Sequence, residues 1–150
     1  MLPQLGLGTV LQNAKGAHYL CLQASCDSVR LTKPAAFLFV PLHRSDEEPD
    51  HVVPVVGKKG AVNFIGLSAP ATVYARSRSV TFEPNAKSQT VLAGKLTRRG
   101  GLFFTDVDGE TYRWVADLKA KRALRTAQRL GQSMGRLGFD EFEPFRRGGD

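Results

Sequence analysis

Short stretches of alternating hydrophobic and polar residues fill the first two thirds of the chain. AHYLCLQA (17–24) places Leu20, Leu22 and Ala24 on one face of a strand and Tyr19, Cys21 and Gln23 on the other. AAFLFVPL (35–42) is almost entirely apolar, which predicts a strand buried on both faces. Further strand candidates are GTVLQ (8–12), HVVPVV (51–56), AVNFIGL (61–67), TVYARSRSVTFEP (72–84) and QTVLAGKLT (89–97). Pro54 restricts its strand to a sheet edge.

A hairpin ends this β-rich region. Asp108–Gly109 lies between LFFTDV and ETYRWVA, a composition typical of a type I′ turn. Eight or nine short strands with tight turns predict a mainly β (α+β) fold, a small, partly open SH3-like β-barrel with a long C-terminal helix packed across it. The predicted core consists of Leu20, Leu22, Phe37, Phe39, Val53, Phe64, Ile65, Val73, Phe82, Val91, Phe103 and Trp114.

The pattern changes to a helical period after residue 118. Residues 119–137 are rich in helix formers, and Asp117 can cap the helix start. Steps of three and four predict an apolar stripe made of Ala120, Ala123, Ala127, Leu130, Met134 and Leu137. We therefore divide one structural domain into a β-barrel body (1–118) and a C-terminal basic helix with an aromatic tail (119–150). Phe139, Phe142 and Phe145 of the tail are expected to pack on the body.

Positive charge is concentrated on this helix. The chain has a net charge of +7, which favours an anionic partner, and residues 118–136 contain no acid. The arginines lie opposite the apolar stripe, so the predicted nucleic-acid-binding residues are Lys119, Arg122, Arg125, Arg129 and Arg136. Lys121 flanks the same face. Arg76 and Arg78, with Tyr74, form a second basic strip on one strand face.

Two other interpretations of the basic helix remain open. The arginines could form a solvated face that pairs with acids of the 46–50 loop or of the 140–143 tail. A helix lying on a membrane surface is also conceivable, but an alanine-rich stripe without tryptophan would insert weakly.

The stretch HYLCLQASCDSVRL (18–31) contains candidate reactive groups without a recognisable motif. Cys21 and Cys26 lack the spacing of metal ligands, and a carboxylate at Asp27 disfavours the thiolate that catalysis by Cys26 would need. We interpret both cysteines as buried hydrophobic residues, with Asp27 at a strand end beside Arg30. Asp106, Asp108 and Glu110 fit turn chemistry. The sequence thus predicts no catalytic residues, no metal site and no cofactor.

Cysteine usage and hydropathy give the expected location. Two cysteines five residues apart are poorly placed for a disulfide, so reduced thiols and a cytoplasmic protein are expected. The N-terminus has no signal-peptide pattern, and no apolar run approaches a membrane span, so no membrane association is predicted.

GTVL and GAHYLCLQASCDSVRL together resemble the opening of small bacterial SH3-like barrels of the PemK/MazF toxin type. The same residues, with YRWVADLK and RALRTAQRLGQSMGRLGFDEFEPF, resemble uncharacterised domains that follow receiver-like domains in bacterial signalling or phage-defence proteins. The second resemblance implies a cytosolic domain of a longer signalling protein. The toxin resemblance implies RNA cleavage by an arginine and a hydroxyl residue, for which Arg30 and Ser28 are the nearest candidates, although the added helix departs from a compact toxin.

Three functions are therefore expected, and they are given in order of preference. The first is a non-enzymatic binding or regulatory module that engages nucleic acid through the basic helix. The second is a toxin-like ribonuclease on the same barrel. The third is a protein–protein docking domain that uses the FDEFEPF segment (139–145) as its contact.

Overall fold

Eight β-strands and one helix make up the part of the chain that the structure describes. The computed structural model describes residues 2–22, 30–56, 60–69, 77–96 and 100–137, without the side chains of residues 130–137. The elements are β1 (Thr9–Gln12), β2 (His18–Cys21), β3 (Ala35–Arg44), β4 (His51–Val56), β5 (Val62–Ser68), β6 (Arg78–Phe82), β7 (Phe103–Thr105), β8 (Thr111–Asp117) and α1 (Ala120–Leu137).

The strands form one antiparallel sheet around the long strand β3. The order is β4-β5-β3-β2-β1-β8-β7, and β6 also pairs with β3. β3 can serve three neighbours because its ten residues pair with β6 through Ala35–Phe39, with β2 through Phe39–Leu42 and with β5 at His43 and Arg44. The end of β7 also approaches β6, since the amide of Val107 donates to the carbonyl of Thr81 at 3.0 Å. The predicted mainly-β class is confirmed, whereas the SH3-like barrel stays a prediction.

Two hydrophobic clusters lie on opposite sides of the central strands. The helix-side core contains Val10, Leu20, Val40, Leu42, Val53, Leu67 and Ala127, and the aromatic core contains Leu5, Leu11, Cys21, Phe37, Phe39, Phe82, Phe104 and Tyr112. Successive residues of one strand enter different clusters, as Leu20 and Cys21 do, because strand side chains alternate between faces. This confirms that the centre of β3 is buried on both faces and that Cys21 is a buried residue.

The predicted core is mostly correct, and its clearest error lies at the sheet edge. Phe64 is 70% exposed, while Ile65 and Trp114 are only partly buried. Phe64 points away from the core because it pairs with Pro54 on the outer face of the β4–β5 ribbon. Val73 lies outside the described residues.

Two local predictions near β7 need correction. Residues 89–96, the described part of the strand predicted over 89–97, do not form a strand: their β-pairing consists of the isolated bridges of Leu92 with Gln4 and of Gly94 with Phe103. The β7–β8 hairpin is present, but its turn is not type I′, since Gly109 has a positive φ of 87° and Asp108 does not. Asp106 Oδ1 instead accepts the amides of Asp108 and Glu110, which confirms turn chemistry for these acids.

The predicted C-terminal helix is confirmed, with a different start. The carbonyl of Lys119 accepts the amides of Arg122 and Ala123, so Lys119 occupies the N-cap position. Asp117 is not the cap, because its carboxylate accepts the indole N–H of Trp114 at 3.2 Å. Ala120 is exposed, while Ala123, Thr126 and Ala127 are buried. The tail that contains Phe139, Phe142 and Phe145 lies outside the described residues.

Candidate functional site

The first half of α1 lies over the beginning of β4. Ala127 packs in the helix-side core with Val53 and Leu67, which brings the small-residue face of the helix onto the sheet. Thr126 is buried on the same face, and its Oγ1 lies 3.1 Å from Nε2 of His51, the first residue of β4. Because Arg122, Arg125 and Arg129 are one turn or less from Thr126, their side chains surround this contact.

An ion pair fastens the helix to the sheet edge. Nη2 of Arg129 donates to Oδ2 of Asp50 at 2.8 Å and Nη1 donates to Oδ1 at 3.3 Å, while Nη2 also reaches the carbonyl of Ala69 at 3.3 Å. Asp50 Oδ2 accepts the amide of Ala69 at 3.0 Å as well. Burial alone would raise the pKa of Asp50, but the hydrogen bonds from Arg129 and Ala69, with the charge of Arg129, bring the pKa of this carboxyl below its usual range.

The backbone before Asp50 is held by a close approach to β5. Ser45 donates its amide to the carbonyl of Gly66 at 3.0 Å, and a Cβ at Gly66 would lie 2.7 Å from the Pro49 ring and collide with the Ser45 carbonyl oxygen. The amide of Asp50 in turn donates to Oγ of Ser68 at 3.0 Å. Only glycine at position 66 leaves room for the acidic loop to pack closely on β5, and this packing places Asp50 next to the helix.

His51 is a buried member of the site, and its surroundings favour the neutral ring. The residue is 2% exposed, and within the described ranges its Nδ1 is buried without a hydrogen-bond partner. A buried N–H without an acceptor costs more than a buried lone pair, which favours the tautomer in which Nε2–H donates to Thr126 Oγ1. Burial lowers the pKa of His51, Asp50 opposes this, and the positive charges of Arg122 and Arg129 lower the pKa further.

These residues enclose a surface depression with an excess of positive charge. The depression, which we call the cationic depression, has a volume of about 260 Å³ and is lined by Asp50, His51, Arg122, Arg125, Thr126 and Arg129. Among the described residues that line it, three guanidinium groups and one carboxylate leave two positive charges uncompensated when His51 is neutral. Among the described residues, the carboxylate of Asp50 pairs with Arg129, and neither Arg122 nor Arg125 forms a salt bridge.

The residues predicted to bind nucleic acid do not all lie on this surface. Lys119 and Lys121 are exposed at the start of the helix, beside Arg122 and Arg125. Arg78 lies on β6, where Nη1 donates to the Tyr19 hydroxyl at 3.0 Å and the guanidinium stands 5.5 Å from the Tyr19 ring centre. Tyr19 packs against the aromatic core, so Arg78 and the helix arginines belong to different sides of the sheet. Arg76 and the side chain of Arg136 lie outside the described residues.

Sequence reasoning foresaw one part of this site and missed another. Pairing between a helix arginine and the 46–50 loop was one of the two alternatives left open, and it is realised by Arg129 and Asp50. His51 and Thr126 were not singled out. A histidine at the start of a β-branched strand and a lone threonine in an alanine-rich stripe carry no spacing signal, since 75 residues separate them along the chain.

The other candidate chemistries receive less from the structure. Asp106 accepts the hydroxyl of Tyr112 at 2.9 Å, and burial together with this carboxylate raises the pKa of Tyr112. Arg30 is exposed, with a positive φ of 59°, while Ser28, Cys26 and Asp27 lie outside the described residues. Within the described ranges, no three His, Cys, Asp or Glu side chains are grouped to hold a metal ion. No helix in the described part has the length and apolar character needed to cross a bilayer.

Comparison of the chain with protein-family models, with curated proteins and with solved structures found no match in any of the three.

Proposed function

We propose that this protein is a non-enzymatic binding or regulatory module that engages nucleic acid through the first half of α1. The binding surface consists of Lys119, Lys121, Arg122 and Arg125, with Arg129 held at its border. The observation that carries the proposal is the cationic depression and its two uncompensated charges. On a nucleic acid, the anions available to a group of exposed cations on one helix face are the phosphates.

The distribution of ion pairs supports binding over a purely solvated face. If the helix arginines served only to hold the helix on the body, each would be expected to meet an acid. In the described part of the chain only Arg129 does so, through Asp50. Arg122 and Arg125 line the same depression and are exposed. Both positive charges lie next to a buried histidine that is neutral. Concentrated like charge of this kind costs folding energy and is explained more simply by an anionic partner.

The test is fluorescence anisotropy with labelled single-stranded RNA and duplex DNA over a salt series. An Arg122→Ala/Arg125→Ala variant is expected to bind more weakly, with a salt slope shallower by about 1.4 on single strands, since each phosphate contact contributes about 0.7. The matched control is Lys33→Ala/Lys87→Ala, which removes two exposed charges that lie outside the helix and the predicted basic strip, and it should keep the wild-type slope. Equal binding by wild type and the helix variant, or no binding by wild type at low salt, would overturn the proposal.

The same oligonucleotides distinguish the ribonuclease alternative. Incubation without added metal followed by gel electrophoresis should leave the RNA intact if the protein only binds. Cleavage that disappears in Arg30→Ala would favour the toxin-like enzyme instead. The exposed Arg30 lines no described part of the cationic depression, so its substitution should leave binding unchanged.

An exposed apolar face favours protein docking as the second candidate function. On the outer face of the β4–β5 ribbon, Val56 pairs with Val62 and Pro54 with Phe64, and Val52, Val56, Val62 and Phe64 are all more than half exposed. Grouped apolar side chains of this size commonly mark a protein contact. Concentration-dependent association in sedimentation velocity that Phe64→Ser abolishes would support docking, whereas a monomer at all concentrations that captures no partner would refute it.

The finer structural and cellular predictions remain proposals alongside this function. A partly open SH3-like barrel is supported by the antiparallel sheet and by the Phe82–Asp106 bridge between the ends of β6 and β7. The cytoplasmic location and the setting in a bacterial signalling or defence protein rest on cysteine usage and on the resemblance.

A further inference from the structure

We propose that the cationic depression seats the terminal phosphate monoester at the end of a nucleic-acid strand, an inference that rests on the proposed function and names the group it recognises. Internal phosphates would then lie along Lys119 and Lys121 and meet the arginines only at the rim of the depression.

A terminal phosphate differs from an internal phosphate in its charge. An internal phosphodiester carries one negative charge, whereas a phosphate monoester carries about −1.5 to −2 at pH 7. The depression contains Arg122, Arg125 and Arg129 against Asp50, and His51 adds no charge because a second ring proton would occupy Nδ1, which is buried and meets no hydrogen-bond acceptor among the described residues. The two uncompensated positive charges therefore match a monoester dianion and exceed what a single diester neutralises.

The cationic depression also contains hydrogen-bond donors whose orientation is already fixed. Two contacts that face the depression are already oriented: Asp50 and the Ala69 carbonyl hold the guanidinium of Arg129, and Nε2 of His51 holds the Thr126 hydroxyl. Arg122 and Arg125 are exposed and can close over a ligand from the helix. An oriented donor loses less conformational entropy on binding than a free one, so these supports favour a compact anion held at a defined place.

The concave shape of the depression also favours the end of a strand. The basic residues do not form a straight ridge here, because the start of β4 and the helix form the two sides of a concave site of about 260 Å³. An internal phosphate carries a sugar on each side and reaches a concave site only at its rim. A terminal phosphate is attached on one side only, so it can enter with its three outer oxygens towards the arginines.

The experiment compares two single-stranded RNAs of one sequence that differ only at the 5′ end, one with a phosphate and one with a hydroxyl, each labelled at the 3′ end. A second pair with and without a 3′ phosphate, labelled at the 5′ end, tests the other terminus. Wild type should bind a phosphorylated end about tenfold more tightly, the gain expected of one additional charge-assisted contact. Inorganic phosphate should reduce this preference by competition.

Two variants of exposed residues locate the preference. Arg125→Gln should bring the affinity ratio of phosphorylated to unphosphorylated RNA close to one. Lys121→Gln removes a neighbouring charge that does not line the depression, so it should weaken both RNAs alike and preserve the ratio. A ratio of one in wild type with binding intact would refute this inference and leave the proposed function standing. A preference that survives in Arg125→Gln would also refute it, and failure of every RNA to bind would remove the proposed function itself.

Discussion

Removal of the Asp50 carboxylate should weaken the fold and strengthen the proposed nucleic-acid binding at the same time. In the wild type, this carboxylate accepts two hydrogen bonds from Arg129 and one from the amide of Ala69. Asp50→Ala deletes all three and leaves the guanidinium of Arg129 without its partner at the border of the cationic depression. A residue that served only stability would change the first property without changing the second.

The expected loss of stability follows from the exposure of each partner. The bond from the Ala69 amide to a carboxylate is charge-assisted and contributes about 1.5 kcal/mol. The side chains of Arg129 and Asp50 are 47% and 27% exposed, so solvent screening reduces their ion pair to about 1 kcal/mol. Asp50→Ala should therefore lower the free energy of unfolding by about 2–3 kcal/mol. Asp50→Asn should cost less, because its amide oxygen can still accept the Ala69 amide.

The expected gain in binding follows from the charge that is released. With Asp50 removed, Arg129 becomes a third uncompensated cation in the depression. The salt slope for single-stranded RNA should steepen by about 0.7, the contribution of one further phosphate contact.

Urea unfolding and the anisotropy titration measure the two effects on the same variants. A double-mutant cycle with Arg129→Ala should return a coupling free energy of about 1 kcal/mol. The matched control is Asp46→Ala in the same acidic loop, since its side chain is 84% exposed and lies 3.8 Å from Arg44. It changes the net charge equally but should alter stability by less than about 0.5 kcal/mol and leave the salt slope unchanged.

Two results would refute this reasoning. If Asp50→Ala and Asp46→Ala were equally stable, the hydrogen bonds of Asp50 would have no net value for the fold. If both variants steepened the salt slope alike, net charge rather than the place of Arg129 would govern binding.

Three further predictions test the core, the sheet edge and the buried histidine. The lowered pKa of His51 means that the folded chain binds fewer protons than the unfolded chain below pH 6.5. The free energy of unfolding should therefore fall as the pH drops from 6.5, by at most about 1.4 kcal/mol per pH unit for this group, with a smaller slope in His51→Gln. Gly66→Ala should cost about 1–3 kcal/mol in urea unfolding because its Cβ meets the acidic loop, whereas Gly94→Ala, with open space around its Cβ, should be nearly neutral. Phe82→Ala should cost about 3–5 kcal/mol and Phe64→Ala less than about 1, and equal costs would contradict the assigned faces of the sheet.

Local periodicity determined which segments become strands and helix. Six of the strand segments named from the pattern and the hairpin strands match β1 to β8, and α1 follows the predicted helical period. The alternation in β2 assigned Leu20 and Cys21 to opposite faces correctly, because the side-chain direction along a strand is a local property. The strand predicted over 89–97 is absent from residues 89–96, its described part, because alternation shows only that a segment suits a strand, and a strand also needs a partner along its length.

Exposure at the sheet edge was decided by tertiary structure. Phe64 has the hydrophobicity of a core residue, yet it lies on the outer face of the β4–β5 ribbon, opposite the side that packs on the helix-side core. No local pattern distinguishes the two faces when both carry apolar residues, as they do in HVVPVV.

The charge of the helix could be predicted from the sequence, but the arrangement of the site could not. The arginine spacing and the absence of acids from 118 to 136 could be seen in the chain itself, since a helix face depends only on residues three and four apart. That Arg129 is neutralised by Asp50 and that Thr126 meets a buried His51 depends on contacts between residues 79 and 75 positions apart. Only the packing of α1 on the start of β4 brings those groups together, so that Arg129 pairs with Asp50 while Arg122 and Arg125 form no salt bridge within the described part of the chain.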